Sequence, residues 1–230
     1  MKVLACDIDG ALIDVRPSFY RIIQELSGAT LDEIHRFKQN GGFNCDWDTA
    51  RACKAWIDAG RPEIFGQVAS VEELVARIGH DPGDLAEAGQ ALYRGGYWRD
   101  ETPLVPPHLL PSLSTRFEVV ACTGRDRWEL ARAQETLDFQ FSAATTMDEV
   151  RKPDPEALLR LIPAGAELCV MFGDSEDDRR VARNAQAYTR VPIYFFPVVD
   201  SPMPLLQGLQ DREDTEAFLQ ELCESWASPC

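Results

Sequence analysis

Lys2-Val3-Leu4-Ala5-Cys6-Asp7-Ile8-Asp9-Gly10-Ala11-Leu12 is the stretch on which the reading of this chain turns. Val3 to Cys6 is an unbroken apolar run, the pattern of a buried strand. It stops at Asp7, and Gly10 permits a tight turn just beyond. Two carboxylates two residues apart at the mouth of a strand are costly unless a cation or phosphate chemistry uses them. Taken alone, the stretch reads equally well as a solvated turn, because Asp and Gly are ordinary turn residues.

Three later segments also put a polar group at the end of a strand or just before a helix. The apolar run Phe117-Glu118-Val119-Val120-Ala121-Cys122 leads into Thr123-Gly124-Arg125. Lys152 lies in Arg151-Lys152-Pro153-Asp154-Pro155. Leu168-Cys169-Val170-Met171-Phe172 leads into Gly173-Asp174-Ser175-Glu176-Asp177-Asp178. Singly, these are a capped turn, a solvated lysine and a strand-to-helix loop. Their ordered company with Asp7 and Asp9 is what such readings leave unexplained. In parallel α/β sheets the carboxyl ends of strands are where ligands bind.

This ordered set resembles the haloacid dehalogenase-like hydrolase superfamily, whose four motifs match Asp7 with Asp9, then Thr123, then Lys152, then Asp174 with Asp178. Ala11 departs from the pattern, since the family most often has Thr there. Asp177 adjoins the last acid, and spacing favours Asp178. The resemblance implies a Mg²⁺-dependent reaction in which Asp7 is the nucleophile and forms an aspartyl-phosphate. It assigns the Asp7 carboxylate, the Asp9 backbone carbonyl and the Asp174 carboxylate as metal ligands, with Asp178 holding that shell by hydrogen bonding. Asp9 is then the general acid and base. Thr123 and the Gly124 region donate to phosphoryl oxygens, and Lys152 sets a positive charge between nucleophile and phosphate. Dehalogenating relatives lack the second Asp, whereas phosphatases and phosphomutases have it. The branch it looks most like is the phosphoglycolate phosphatase type, in subfamily I with a C1 helical cap.

The bulk numbers agree with a soluble enzyme. At 230 residues, 45% of them hydrophobic, the chain has room for a core and a smaller domain. A net charge of −15 and a pI near 4.6 argue against nucleic acid as a partner. Seven cysteines, an odd number with no Cys-x-x-Cys, point to a reducing compartment. No signal peptide precedes Asp7, and no apolar run approaches the ~20 residues that span a bilayer. The expectation is a cytoplasmic protein, monomer or homodimer, away from membranes.

Between the first strand and residue 117 the chain reads as helices. Phe19, Ile22, Ile23 and Leu26 make one stripe, and Trp47, Ala50, Cys53 and Ile57 a second. Val71, Leu74, Val75 and Ile78 make a third, with Ser70 and Glu73 as a capping box. Leu85, Ala88 and Leu92 suggest a fourth. Beyond 116, strands and helices alternate. A helix carries Trp128, Ala131 and Leu137, and a weak strand is expected over Phe139–Ala143. A helix follows with Asp154 as N-cap and Pro155 behind it, then strands at Leu168–Phe172 and Ile193–Phe196, and a last helix through Phe218, Leu222 and Trp226. The fold expected is therefore α/β, a doubly wound parallel sheet in a core of residues 1–14 and 103–230, with an all-helical cap inserted at 15–102.

Specificity is expected in the insert. Gly41-Gly42-Phe43-Asn44-Cys45-Asp46-Trp47-Asp48 is either a turn with Asp46 as N-cap or a substrate loop with Arg36, Lys38 or Asn44 near the ligand. Arg125 either reaches a substrate anion or is a surface arginine at a helix start. His35, His80 and His108 show neither a triad nor metal spacing. The function expected is hydrolysis of a small phosphorylated metabolite. A phosphomutase of the same superfamily uses the same residues. A receiver-like module is disfavoured, because receivers have an adjacent acidic pair in a shorter chain. A non-catalytic phosphate-binding module is disfavoured because no catalytic position is lost.

Overall fold

Val3 to Cys6 are fully buried in β1 (Lys2–Cys6) because a parallel strand lies on each side and helices pack around the sheet. The structure, a computed structural model, describes residues 1–39, 43 and 45–227, with side chains described through 223. After β1 come β2 (Ile13–Asp14), a π-helical turn at Arg16–Tyr20, α1 (Arg21–Ser27), α2 (Leu31–Gln39), α3 (Asp46–Asp58), α4 (Val71–Ile78) and α5 (Ala86–Gly95). A 3₁₀ turn at Tyr97–Asp100 leads to β3 (Thr102–Pro103) and α6 (Leu109–Leu113). Then follow β4 (Phe117–Cys122), α7 (Arg127–Leu137), β5 (Ala144–Thr145), α8 (Glu156–Leu159), β6 (Leu168–Gly173), α9 (Glu176–Gln186), β7 (Ile193–Pro197), α10 (Met203–Asp211) and α11 (Thr215–Ala227).

The main sheet has five parallel strands in the order β5-β4-β1-β6-β7. Cys6 pairs with Ala121 on one side and Phe172 on the other, so β1, β4 and β6 end level. From β1 the order runs outward through β4 and β5, then returns to the far side of β1 for β6 and β7. Asp7 therefore lies at the switch of strand order, where such sheets form a crevice. One core of this unit joins Val3, Ala5, Val120 and Met171 to Leu158 of α8 and Val181 of α9.

The chain divides into two compact units, Met1–Asp14 with Thr102–Cys230, and Val15–Glu101. The second is helical and has its own core. Phe37 meets Trp56 and Phe65 with ring centroids 5.7 and 4.9 Å apart, over Ile34, Ala52 and Leu74. Among the described residues no helix is long and apolar enough to cross a membrane.

Several local expectations are corrected. The weak strand expected at Phe139–Ala143 comes later, as β5 at Ala144–Thr145, and only the last two residues of the expected stretch reach β4, through Ser142 N–H to the Val119 carbonyl and Ala121 N–H to the Ala143 carbonyl, both at 3.0 Å. In α7 the buried stripe is Leu130, Ala133 and Leu137, while Trp128 faces out beneath Arg132. In α5 the buried positions are Gly89 and Tyr93. A side chain at Gly89 would strike the Trp47 ring, and Tyr93 stacks on Phe19 at 4.4 Å. Asp46 is the first residue of α3 and pairs with Lys38 at 2.8 Å, leaving Cys45 at the cap position. Ser70 does cap α4, but Glu73 returns its bond to the Ala69 N–H. Asp154 accepts the Glu156 N–H at 2.9 Å from just outside α8, whose N-cap is Pro155. The two-residue strands β2 and β3 pair antiparallel where the chain leaves and re-enters the α/β unit; they were not foreseen.

Candidate active site

The β1 ladder continues one step into the loop, since the Asp7 N–H donates to the Phe172 carbonyl at 3.0 Å. The chain then turns, with Leu12 and Ile13 N–H groups both returning to the Ile8 carbonyl at 2.9 Å. Gly10 has φ +71, and a Cβ there would collide with the Asp174 carboxylate. The turn must therefore be glycine for two reasons, backbone conformation and the approach of a carboxylate. Gly173 is constrained likewise, since its Cβ would meet the Asp178 carboxyl.

Lys152 is the hub of the site. Its Nζ donates to Asp7 Oδ1 at 2.8 Å and to Asp178 Oδ1 at 2.5 Å, and all three side chains are buried. The Lys152–Pro153 bond is cis, and Asn184 of α9 donates to the Pro153 carbonyl at 3.2 Å. Asp178 has a second task. Its Oδ2 accepts the Ser175 N–H at 3.1 Å and the Ser175 hydroxyl, while Ser175 Oγ accepts the Asp178 N–H, a capping box that starts α9. Asp177 accepts from Arg180 at 3.4 Å, whereas Asp178 is the acid bonded to Lys152. Asp174 is exposed, and one oxygen each from Asp7, Asp174 and Asp178 lie within 4.8 Å of one another.

The electrostatics follow from burial. Asp7 is pushed well above the usual carboxylate range, first by burial and then by the charge of Asp178, with Lys152 opposing and Asp174 and Asp9 adding to the rise. Burial alone would lower Lys152, but Asp178 and Asp7 outweigh it and raise it well above an ordinary lysine. Cys122, beneath the site, is pushed up to about 12 by burial, which favours the thiol over the thiolate.

Thr123 follows β4 and is buried; its N–H donates to the Thr145 carbonyl and its Oγ1 accepts the Arg125 N–H, both at 3.1 Å. Among the described residues no acceptor takes its hydroxyl proton. Gly124 is exposed beside it. Arg125 is neither a surface residue nor aimed at open solvent, being only 1% exposed. Its Nε donates to Asp9 Oδ1 at 2.7 Å, and its Nη2 lies 2.6 Å from the same oxygen. This pair spans more than a hundred residues of sequence and was not foreseen. A basic residue at a helix N-terminus opposes the helix dipole, a signal that could have marked Arg125 as having another task.

The structure thus brings Asp7, Lys152, Asp174 and Asp178 together, with Asp9 tied to Arg125 in the loop that Thr123 opens. Two of the insert's candidates have partners within the helical unit. Arg36 stacks over Phe65 at 4.1 Å and Lys38 is paired with Asp46. Asn44 lies outside the described residues. His35 packs against Tyr20, and His80 pairs with Asp58 at 3.1 Å.

No curated protein matches the chain. Among solved structures, it is similar to the phosphatase Tt82 from Thermococcus thioreducens, with a TM-score of 0.70 at 23% identity, covering 97% of this chain and 99% of that one. A hydrolase from Pseudomonas syringae gives 0.56 at 16% identity, with 92% and 99% covered. The YfnB protein of Bacillus subtilis, solved bound to magnesium, gives 0.52 at 14% identity, with 90% and 98% covered. These likenesses show the fold. A family model for haloacid dehalogenase-like hydrolases matches residues 1–186. That span runs from β1 through α9 and takes in each strand-end group described above, and the chain belongs to the haloacid dehalogenase-like hydrolase family.

Proposed function

We propose that this hydrolase is a phosphatase of small phosphorylated metabolites that works through an aspartyl-phosphate on Asp7, with Mg²⁺ as its cation. The observation that carries the reading is the separation of the two carboxylates of the opening motif. Asp7 shares an oxygen cluster with Asp174 and Asp178, whereas the Asp9 carboxylate is held by Arg125. In this reading the first attacks and the second moves a proton.

The donor set fits Mg²⁺, since the cluster offers carboxylate oxygen and no His or Cys. The upward push on Asp7 fits too, because Lys152 alone does not offset it and a further positive charge would keep Asp7 anionic. Asp7, Asp174 and the Asp9 backbone carbonyl would hold the ion, which when bound neutralises charge on nucleophile and phosphoryl group.

Asp7 attacks phosphorus as the bond to the leaving oxygen breaks, and Asp9 gives that oxygen its proton. Asp9 then takes a proton from water, whose oxygen attacks the same phosphorus and releases Asp7 and inorganic phosphate. Lys152 counters the repulsion among the carboxylates, and the Thr123 hydroxyl donates to a phosphoryl oxygen. The helical unit is proposed as the cap that selects the leaving group. The described cysteines are free, in keeping with a reducing cytoplasm.

The test is a panel of phosphate monoesters, including p-nitrophenyl phosphate, assayed with Mg²⁺ and with chelator. Hydrolysis that needs Mg²⁺ is expected. A protein inert towards every ester, or one equally active in chelator, would overturn the reading.

A further inference from the structure

We propose that Arg125 is a positioning residue for Asp9, holding the general acid by one oxygen so that the other delivers the proton. The proposal rests on the phosphatase reading above.

Arg125 is anchored on all sides. Its N–H donates to Thr123 Oγ1 at 3.1 Å, and its carbonyl accepts the Met147 N–H at 3.0 Å. Its Nη1 donates to the Glu129 carbonyl at 3.3 Å, in the first turn of α7, which the Asp126–Glu129 capping box fixes. Asp9 has far less support, sitting in a loop with its side chain 29% exposed. The rigid partner is the arginine, so Asp9 takes its orientation from Arg125 and not the reverse.

The contact is also one-sided. An arginine usually meets a carboxylate fork to fork, one nitrogen to each oxygen. Here Nε and Nη2 converge on the same oxygen, Oδ1. Donors on Oδ1 leave Oδ2 as the oxygen that carries and passes the proton. A loose carboxylate two residues from Asp7 would instead be a ready extra ligand for a hard cation at the cluster. Arg125 holds it off. Lysine, with one compact ammonium, cannot make the two-nitrogen grip.

The experiment compares wild type, Arg125→Ala, Arg125→Lys, Asp9→Asn and Arg125→Lys/Asp9→Asn on two esters. One is p-nitrophenyl phosphate, whose leaving group needs little protonation. The other is an alkyl phosphate, whose leaving group needs it fully. General acid–base help is worth about 10²–10⁴-fold, so Arg125→Ala is expected to lower kcat on the alkyl ester at least ~10-fold more than on the aryl ester. KM should change little, and Arg125→Lys should fall between. On an Asp9→Asn background, Arg125→Lys should add almost nothing on the alkyl ester. Equal losses on both esters, or full additivity with Asp9→Asn, would show a merely structural arginine and sink the proposal. If Arg125→Ala fails to fold, Arg125→Lys carries the same comparison with charge retained. A wild type inert on both esters is a different failure: it removes the phosphatase reading, and this proposal with it.

Discussion

In the α/β unit three charges of the site lie inside, with Lys152 and Asp7 side chains 7% and 6% exposed and Asp178 fully buried. In the helical unit, Arg51 with Asp81, Lys54 with Asp58 and Arg61 with Glu33 all keep contact with water. Its buried carboxylate, Glu101, accepts hydroxyls from Ser18 at 2.7 Å and Tyr93 at 3.0 Å. Buried ion pairs seldom stabilise a fold over apolar packing, and exposed pairs contribute little. The charges inside the α/β unit are thus poorly explained by stability and well explained by chemistry. Those of the helical unit need no chemistry to explain them.

The sharpest way to break this contrast is Asp7→Asn. Turnover is expected to fall to background. Because burial and the Asp178 charge already disfavour ionised Asp7, the variant should melt at or above wild type in metal-free buffer. A loss of several degrees would mean that the buried charge is structural after all. Lys152→Met comes next. It leaves two buried carboxylates without their counter-charge, a change worth about 3–5 kcal/mol, read from denaturant midpoints. Adding Asp7→Asn should restore part of that loss, and an additive result would separate residues that sit in contact.

Ser175→Ala is smaller. It removes the cap that starts α9, at a cost of about 1 kcal/mol, and lets Asp178 swing. A stability change without any fall in turnover would uncouple the cap from the site. The smallest effect is expected at Asp81, which the Arg51 bond holds down at about 2. A carboxylate lowered this way adds its stability above the unfolded value near 3.9 and loses it as pH falls towards 2. Asp81→Asn and wild type should therefore melt alike in acid and differ slightly near neutrality, and the difference should vanish in high salt. A large, salt-insensitive difference would place a second important charge in the helical unit.

The α/β fold was legible because each of β1, β4 and β6 is a compact apolar run ending in a polar residue, all within a few positions of sequence. The members that the structure gathers, Asp7, Lys152, Asp174 and Asp178, could be read from the same segments. The motif spacing already favoured Asp178 over Asp177, and Ser175-x-x-Asp178 is itself a capping signature that adds to it. Arg125 gripping Asp9 was not legible, because nothing local links residues so far apart in the chain. Strands β2 and β3 are too short to show a period. The stripe of α5 was misplaced by one residue because Gly89 and Tyr93 owe their burial to partners on other elements, Trp47 and Phe19.

The separation of β1 from β4 by the whole helical unit also matters during synthesis. At about 5–20 residues per second, β1 waits on the order of 5–20 s before its neighbour leaves the ribosome. The helical unit is one continuous segment of mostly local contacts, so it is placed to fold in that interval. Until β4 emerges, the apolar run Val3–Cys6 is an unpaired strand edge that invites aggregation. Mutations that slow folding of residues 15–101 should therefore lower soluble yield in the cell, even where the purified protein is as stable as wild type.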